Sequence, residues 1–315
     1  MPDTSALIRY ITERQCKTGA GIGYYFMRGH LPSARDTYFA LASLRIMGVD
    51  SPDREVVHFL SSYESFDLNS AYYAKKCLEL IGAEVQLQGK TLCWSDDGEK
   101  QSKQCMMPST PLASYFGHDI SSYNKFNCNI FDGTDLFSSP LGDALKEIEL
   151  GVPNLDQILI DRVCRILKSD SKIDLITMFL ALEIRVVMES RGYPALSPYS
   201  AHSNIGDLLK GCTPMSGYNS IPTAHQTNPD NSCTANVETK IGWPRSSAYE
   251  ATLDSTYAGH MIAQHLGLHD PIGIETFIDK LQNSDGGFRR STAGGLSTLE
   301  CCYMALRVLA EGGFL

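Results

Sequence analysis

Apolar positions near the end of the chain fall into two runs at helical spacing, separated by a glycine-rich turn. The first run covers residues 274–281 and stops at Asp285-Gly-Gly, because glycines end helices. In the second run, apolar side chains recur on one helix face: Leu299, Tyr303 and Leu306. Ser297 and Glu300 have the spacing of a capping box, which marks the start of a helix. The stretch therefore predicts a helical hairpin.

The same pattern occurs at the start of the chain. Residues 4–15 predict a first helix that ends in glutamine, and residues 33–48 predict a second helix that begins with serine. Between them, residues 19–26 are rich in glycine and aromatic side chains, which predicts a turn. A shorter second unit follows, with helices expected over 56–63 and 69–82.

Further helices are expected in the middle of the chain. A weak pair falls at about 109–120 and 140–150, inside an irregular inserted region at about 85–150. A clear pair covers 154–169 and 171–190. A short helix is expected near 201–210, and the long loop at about 211–246 separates it from another second helix over 251–267. Loops of this length are often functional.

The hairpin therefore repeats. Second helices begin near the following residues, with room for one more between 85 and 150: Asp36, Asn69, Asp174, Asp254 and Glu300. Repeats of this size stack their hairpins, and an open stack needs polar end units. Because the first and last units both carry apolar faces, the pattern favours closure. We expect residues 1–315 to form one all-α domain, an (α/α)6 toroid or double helical barrel with the second helices inside.

Composition excludes several classes of protein. The net charge of −9 argues against a nucleic-acid partner. No apolar run is long enough for a transmembrane helix, and the first residues lack the pattern of a secretory signal. The ten cysteines are scattered, which favours reduced, mostly buried thiols and a cytoplasmic location.

Four segments resemble the repeats of the prenyltransferase and squalene-cyclase superfamily. They are Asp-Thr-Tyr-Phe-Ala-Leu at 36–41, Thr-Leu-Asp-Ser-Thr-Tyr at 252–257, Gln-Asn-Ser-Asp-Gly-Gly-Phe at 282–288 and Ser-Thr-Leu-Glu-Cys-Cys-Tyr-Met-Ala-Leu at 297–306. Such repeats build protein prenyltransferase β subunits and class II terpene cyclases. The resemblance implies a toroid whose apolar central cavity binds an isoprenoid. It leaves open a helical α-type subunit, a homodimer and peripheral membrane contact.

The zinc site of the prenyltransferases is only partly matched. The resemblance places Asp254 at one ligand position, but Thr256 and Glu300 stand where a cysteine and a histidine would bind the metal. Threonine is a poor zinc ligand. The basic residues that clamp a diphosphate just before this aspartate are also missing, and Arg245 is the nearest cation. Prenyl transfer would therefore use an altered or absent zinc site.

A rearranged metal site is left open as an alternative. It would combine Asp254 with Cys301 or Cys302 and with residues of the long-loop region, such as His202, His225 or Cys233. Zinc and magnesium are the candidate cofactors, without preference between them.

Class II cyclases, by contrast, protonate an alkene or an epoxide with an aspartic acid at the start of an inner helix. Asp254 matches that residue. Burial in an apolar cavity raises the pKa of a carboxyl group, whereas a helix N-terminus favours the charged form. Three equivalent acids follow a serine by three positions and are explained as capping groups: Asp36, Asp174 and Glu300. Asp254 has Ala251 there instead, and it is therefore the candidate catalytic residue.

Five aromatic residues are the candidate substrate-binding groups: Tyr38, Tyr72, Tyr257, Phe288 and Tyr303. Their ring faces would stabilise carbocations in a cyclase, while core packing is the alternative interpretation. Acid-initiated cyclisation by Asp254 is the first hypothesis for the function. Prenyl transfer is the second, and a non-catalytic toroid that binds a lipid or a protein is the third.

Overall fold

The protein is described by a computed structural model that covers residues 2–27, 29–62, 67–83, 139–150, 163–164, 166–167, 174–190, 251–267 and 273–315. The helices are α1 (Thr4–Thr12), α2 (Ala34–Ile46), α3 (Asp53–Ser61), α4 (Leu68–Ile81), α5 (Pro140–Leu150), α6 (Leu175–Ser190), α7 (Leu253–His265), α8 (Ile274–Asp279) and α9 (Leu299–Glu311). One antiparallel hairpin joins β1 (Gln15–Thr18) to β2 (Gly21–Tyr24). This part of the chain is thus mostly helical, as the all-α prediction requires.

Besides α1, whose capping residue is Asp3, six of these helices begin in the same way. The residue before each helix accepts a hydrogen bond from a backbone N–H in the first turn, which satisfies a group that the helix itself leaves unpaired. These capping residues are Ser33, Asp67, Ser139, Asp174, Thr252 and Thr298. They set a common register for α2, α4, α5, α6, α7 and α9.

The same six helices contact one another in sequence and return to the first. Helix α2 packs against α4, α4 against α5, α5 against α6, α6 against α7, α7 against α9, and α9 against α2. We call this set the helix cycle. Most of its apolar side chains are buried in one continuous core.

The turns before α2 and α9 are built alike. In the first, the Tyr24 carbonyl accepts the Ser33 N–H (3.0 Å), and the Tyr24 N–H donates to the Thr37 hydroxyl (3.0 Å). In the last, the Phe288 carbonyl accepts the Thr298 N–H (3.1 Å), and the Phe288 N–H donates to the Cys302 thiol (3.4 Å). Matching bonds at matching positions support the interpretation of the sequence as an internal repeat.

Some local predictions are corrected. Residues 19–26 are not a simple turn, because β2 pairs with β1 and Gln15 lies opposite Tyr24. Helix α1 therefore ends at Thr12, before the predicted Gln15. Helices α2, α4, α5 and α9 otherwise begin and end within about two residues of their predicted bounds, which is the usual uncertainty of helix ends.

The predicted capping groups are wrong in three units. In α6, Asp174 is itself the capping residue and accepts hydrogen bonds from the Ile176 and Thr177 N–H groups, whereas the sequence predicted it as the acid three residues after the cap. The capping residue of α9 is Thr298 rather than Ser297, whose hydroxyl donates instead to Asp285 (2.7 Å). Helix α7 has a complete capping box formed by Thr252 and Ser255. The threonine one position after Ala251 therefore supplies the cap that Ala251 could not.

Other predictions lie outside the described residues. They include the weak helix at 109–120, the short helix at 201–210, the long loop at 211–246 and most of the helix at 154–169, of which only 163–164 and 166–167 are described, as helical. Within the part of the chain that the structure describes, no helix combines the length and the apolar character needed to cross a membrane.

Candidate functional site

The common register of the helix cycle places chemically similar residues at one level. Positions two, five and nine residues after the cap lie three and four residues apart, so they share one helix face. The fifth position is aromatic in five of the six helices: Tyr38, Tyr72, Phe179, Tyr257 and Tyr303. We call these five residues the aromatic layer. In α5 the same position is Ala144.

The rings of the aromatic layer contact one another between helices. The ring centroids of Tyr38 and Tyr303 lie 5.8 Å apart, those of Tyr257 and Tyr303 6.3 Å, and those of Phe179 and Tyr257 5.7 Å. Tyr73 lies 5.7 Å from Tyr38 and continues the layer into α4. These distances are typical of tilted and edge-to-face aromatic pairs. The sequence-predicted tyrosines are thus brought together.

The tyrosine hydroxyls meet charged groups at the next level of the cycle. Burial raises the pKa of Tyr38, and the neighbouring Tyr303, which shares a hydrogen bond with it, raises it further. Burial likewise raises the pKa of Tyr257, with additional contributions from Tyr303 and Glu183 and an opposing one from Arg307. The face therefore carries polar groups beside its aromatic rings.

Ion pairs surround these hydroxyls. Lys76 pairs with Glu149, and Arg307 pairs with Glu311. Burial raises the pKa of Tyr72, and the Glu149 carboxylate, to which it is hydrogen-bonded, raises it further. Lys76 and Arg307 both occupy the ninth position after their caps, as does Glu183. The aromatic residues at the fifth position thus lie beside charged residues at the ninth position of the same face.

The second position after the cap lies nearest the helix N-termini, and charged residues occupy it in α2, α7 and α9. Asp254 occupies it in α7 and is 5% exposed. Both of its carboxylate oxygens accept hydrogen bonds from Arg290, at 3.1 Å from Nε and 2.5 Å from Nη2. A bidentate guanidinium pair of this kind stabilises the charged carboxylate. The hydrogen bond to Asp254 in turn raises the pKa of Arg290, although burial opposes it.

Glu300 holds the equivalent position in α9 and pairs with Arg35 of α2 (2.7 Å). Arg35 is itself two residues after its cap, so the pair joins equivalent positions of the last and first units. Glu300 also acts electrostatically on Arg290. The four residues Arg35, Glu300, Arg290 and Asp254 therefore alternate in charge, and we call them the charged rim.

Asp36 belongs to a different position from Asp254, although the sequence aligned them. It lies three residues after its cap, and its carboxylate accepts a hydrogen bond from the Ser33 hydroxyl (2.7 Å). Burial raises the pKa of Asp36, and the Ser33 hydrogen bond partly offsets the effect. Its role as a capping-turn acid is thus confirmed. Glu300, which was given the same role, is instead an ion-pair partner.

The candidate metal ligands that the structure describes, Asp254, Cys301 and Cys302, do not form a group that could hold an ion. Burial raises the pKa of the Cys301 thiol to about 12 and also raises that of Cys302, which opposes the thiolate form that binds metals. Among the described residues, no group of three histidine, cysteine or acidic side chains is close enough to hold an ion. His202, His225 and Cys233 lie outside those residues.

Phe288 is placed apart from the other predicted binding residues. It is fully buried in the turn before α9, where its backbone bonds to Thr298 and Cys302. Sequence reasoning missed Arg290 and Arg35 as neighbours of the acids, because Arg290 follows the next unit's glycine turn and Arg35 is far away in the chain. The two consecutive arginines after Gly-Gly-Phe, Arg289 and Arg290, were the feature of the sequence that could have indicated a cationic partner for Asp254.

Comparisons with known protein families, with curated proteins and with solved structures find no significant match to this chain.

Proposed function

We propose that the helix cycle is the inner layer of an (α/α)6 toroid and that the protein is an isoprenoid-processing enzyme. The contacts that lead from α2 through α4, α5, α6 and α7 to α9 and back to α2 support the closed arrangement. The matching turns before α2 and α9 support a repeat. The function itself is inferred from the chemistry of the face that the cycle presents.

The observation that carries the proposal is the aromatic layer beside the charged rim. An isoprenoid diphosphate is an apolar chain that ends in a strong anion. The aromatic rings offer apolar and π contacts to the chain, while Arg35 and Arg290, whose side chains are 23% and 34% exposed, offer cations to the anion. Helix N-termini on the same side of the layer add favourable dipoles. The two ends of the substrate thus have complementary partners one helical turn apart.

Prenyl transfer is the reaction that this arrangement favours. The carbon–oxygen bond of the prenyl diphosphate breaks, its electron pair leaves with the diphosphate, and an acceptor nucleophile bonds to the carbon. Arginines stabilise the charge that grows on the leaving group. Asp254 then orients Arg290 rather than donating a proton, because Arg290 occupies both of its oxygens. Acid-initiated cyclisation would first require this pair to open.

Calorimetric titration with farnesyl diphosphate tests the binding step. We expect Arg290→Gln to weaken binding about tenfold or more, since a charge-assisted hydrogen bond contributes roughly 1.5–3 kcal/mol. Arg45→Gln is the matched control, because Arg45 pairs with Asp53 on an exposed surface. Equal affinity in the two variants, or no binding by the unchanged protein, would contradict the proposal.

Product analysis separates prenyl transfer from cyclisation when the unchanged protein and the Asp254→Asn variant are each incubated with farnesyl diphosphate. Transfer predicts released diphosphate and an activity that is lowered but not abolished in this variant. Cyclised products that keep their diphosphate, and that disappear entirely in the variant, would favour the protonating role of Asp254. Binding without any turnover would favour a non-catalytic toroid.

A further inference from the structure

Glu147 on α5 is a buried acid without a partner. It is 7% exposed, and no residue in the described part of the chain forms a hydrogen bond or an ion pair with it. The buried acids at the helix N-termini, by contrast, each have such a partner. Burial and the nearby Asp143 carboxylate raise the pKa of Glu147 to about 7. Because a buried carboxylate needs a positive charge or hydrogen-bond donors to compensate it, Glu147 lacks the group that would hold it charged.

The helices around Glu147 do not supply that group. Every charged side chain of α4, α5 and α6 that the structure describes, apart from Glu147, has an ion-pair partner. The pairs are Lys75–Glu79, Lys76–Glu149, Lys146–Asp143, Arg185–Glu189 and Glu183–His265. Tyr72 and Cys77 of α4 stay neutral, because burial raises the pKa of each side chain. The cations of these helices are thus engaged elsewhere.

Glu147 lies on the flank of α5 that faces α6. Glu149, two residues further along, lies on the opposite flank, because two residues turn a helix by about 200°. Glu149 pairs with Lys76 of α4, and α5 packs against α4 on one side and α6 on the other. His260 of α7 supports this orientation. It also lies eight residues after its cap, and it contacts Glu311 of the following helix in the cycle (3.1 Å).

Ala144 leaves the aromatic layer one ring short beside Glu147. It precedes Glu147 by three positions, so the two side chains are neighbours on one helix face. The helices on either side of α5 carry Tyr72 and Phe179 at the level of Ala144. Tyr72 is hydrogen-bonded to Glu149, which shows that its ring reaches α5. An unpaired carboxyl group therefore lies next to a missing ring, between two helices that each present one.

The opposite flank of α5 shows which kind of group such a place takes. Lys76 lies 5.5 Å from the centroid of the Tyr72 ring and pairs with Glu149. One ammonium group is thus shared by a ring and a carboxylate, which both attract cations. On the flank towards α6, Glu147 and Phe179 supply the acid and the ring again. The ninth position of α6 is a glutamate rather than a lysine, so a cation would have to come from outside the helix cycle.

We propose that Glu147, Ala144, Tyr72 and Phe179 form a binding site for a small organic ammonium ion, such as a methylated amine. The carboxylate of Glu147 neutralises the cation, and the methyl groups of the ligand lie against the rings where α5 lacks its own. A metal ion is disfavoured, because a single carboxylate supplies too few oxygen ligands. This site goes beyond the proposed function and requires neither an isoprenoid nor the charged rim.

Calorimetric titration with choline chloride at pH 8 tests the site. The matched ligand is 3,3-dimethylbutan-1-ol, which has the shape of choline but no charge, and it should bind at least about tenfold more weakly. Glu147→Gln should weaken choline binding about tenfold or more, since it removes the only unpaired charge of the site. Glu189→Gln is the matched control, because Glu189 pairs with Arg185 on the exposed side of α6.

The affinity for choline should also depend on pH. The cation binds the charged form of Glu147, and the population of that form rises with pH through the pKa of about 7. Binding should therefore be about tenfold tighter at pH 8 than at pH 6. The Glu147→Gln variant should show no such increase, which separates Glu147 from the other titrating pair nearby, His265 with Glu183.

Ala144→Phe restores the missing ring and should abolish choline binding in a protein whose thermal melt shows that it is folded. If this variant does not fold, Glu147→Gln decides the question. The proposal is overturned if choline fails to bind the unchanged protein, if the uncharged alcohol binds equally well, or if Glu147→Gln binds like Glu189→Gln. Choline binding by folded Ala144→Phe with unchanged affinity would overturn it too. Failure of farnesyl diphosphate to bind would leave the choline result unchanged.

Discussion

Two junctions between neighbouring units show how the helix cycle is held together. At the first, the turn of the first unit packs on α3 of the second unit, which follows it in the chain after α2. At the second, the turn of the last unit packs on α1 of the first unit, at the opposite end of the sequence. We call them the continuous junction and the closing junction.

The two junctions share the same close contacts. A methyl group at Gly21 would overlap the carbonyl oxygen of Glu55, and one at Gly286 would overlap that of Ala6. A methyl group at Gly23 would lie 2.7 Å from the Phe59 ring in the continuous junction. In the closing junction, Gly287 meets the Tyr10 ring in the same way, at 2.6 Å. Each ring lies four residues after the carbonyl in its helix. Glycines are needed at both junctions because backbone and ring approach so closely.

The closing junction adds polar contacts between distant residues. The Gln282 side chain accepts a hydrogen bond from the Asp3 N–H (2.7 Å) and donates one to the Asp3 carbonyl (3.0 Å). Arg35 and Glu300 form the ion pair of the charged rim, whereas Asn69 stands at the equivalent position in α4. The difference is one of burial: the first and second units are joined by the exposed Arg45–Asp53 pair, whereas the closing junction uses the buried Glu300 and the Gln282 bonds to Asp3.

Gly286→Ala should have the largest effect, a loss of roughly 2–4 kcal/mol in unfolding free energy. The new methyl group would collide with the Ala6 carbonyl oxygen, and the residue has φ +88, which costs about 1–2 kcal/mol for other residues. Urea denaturation measures the change. Gly48→Ala is the control, because Gly48 has φ +67 but open space around it. Equal losses in the two variants would show that the closing contact contributes nothing.

Arg35→Gln should cost about 1–3 kcal/mol, because it leaves the buried Glu300 carboxylate without this cation. Arg45→Gln, which breaks the exposed pair with Asp53, should cost no more than about 1 kcal/mol. Urea denaturation of both variants gives the comparison. If they lose the same stability, the closing junction does not depend on its ion pair.

Thr37→Val should cost about 1–2 kcal/mol, since the buried Tyr24 N–H loses its acceptor. Cys302→Val removes the corresponding acceptor of Phe288 in the last unit. It should cost less, because a thiol is the weaker acceptor. Thermal melts of the two variants rank them, and the reverse order would show that the turns are not equivalent.

His265→Gln should have the smallest effect, and its effect should depend on pH. The hydrogen bond that His265 donates to Glu183 raises the pKa of His265 in the folded protein, while burial lowers it less. The pair therefore makes its full contribution to the free energy of unfolding below the pKa of unfolded histidine, about 6.5. That contribution is lost as the pH rises through the raised pKa of His265 in the folded protein. Melting temperatures of the protein and the variant should converge at alkaline pH.

The exposed His58 serves as the control for this titration, through His58→Gln. The closing junction should be unaffected over the same range, because arginine stays charged. If the difference in melting temperature between the protein and His265→Gln instead widened with rising pH, it would contradict the assignment of the His265–Glu183 pair.

Helix positions were well predicted from hydrophobic spacing, because apolar periodicity reflects burial directly. The exact capping residues were not. Ser297 and Thr298 both fit an N-cap. The prediction used the position of Ser297, which corresponds to Ala251 in the preceding unit, so a shift of one residue decided the alignment. That shift placed Asp36 beside Asp254 in the comparison of units, whereas the structure aligns Arg35 with Asp254 and Glu300.

The candidate site was predicted in part for a related reason. Four tyrosines of the aromatic layer were identified, because they recur within the repeated motif. Phe179 was missed, since its helix carries Leu-Ile-Thr-Met-Phe in place of an acid and tyrosine motif. The partners Arg290 and Arg35 come from other units, and pairing between units that are distant in the chain leaves no periodic signal.

The Gln282 bonds to Asp3 join residues separated by 279 positions. Loop closure over such a separation is entropically costly and slow compared with local helix pairing. Neighbouring hairpins can associate as soon as they are synthesised, but α1 must wait for the last turn before its apolar face is covered. We therefore expect this seam to form after the local hairpins and to be the contact that joins an array of hairpins into a single cooperative unit.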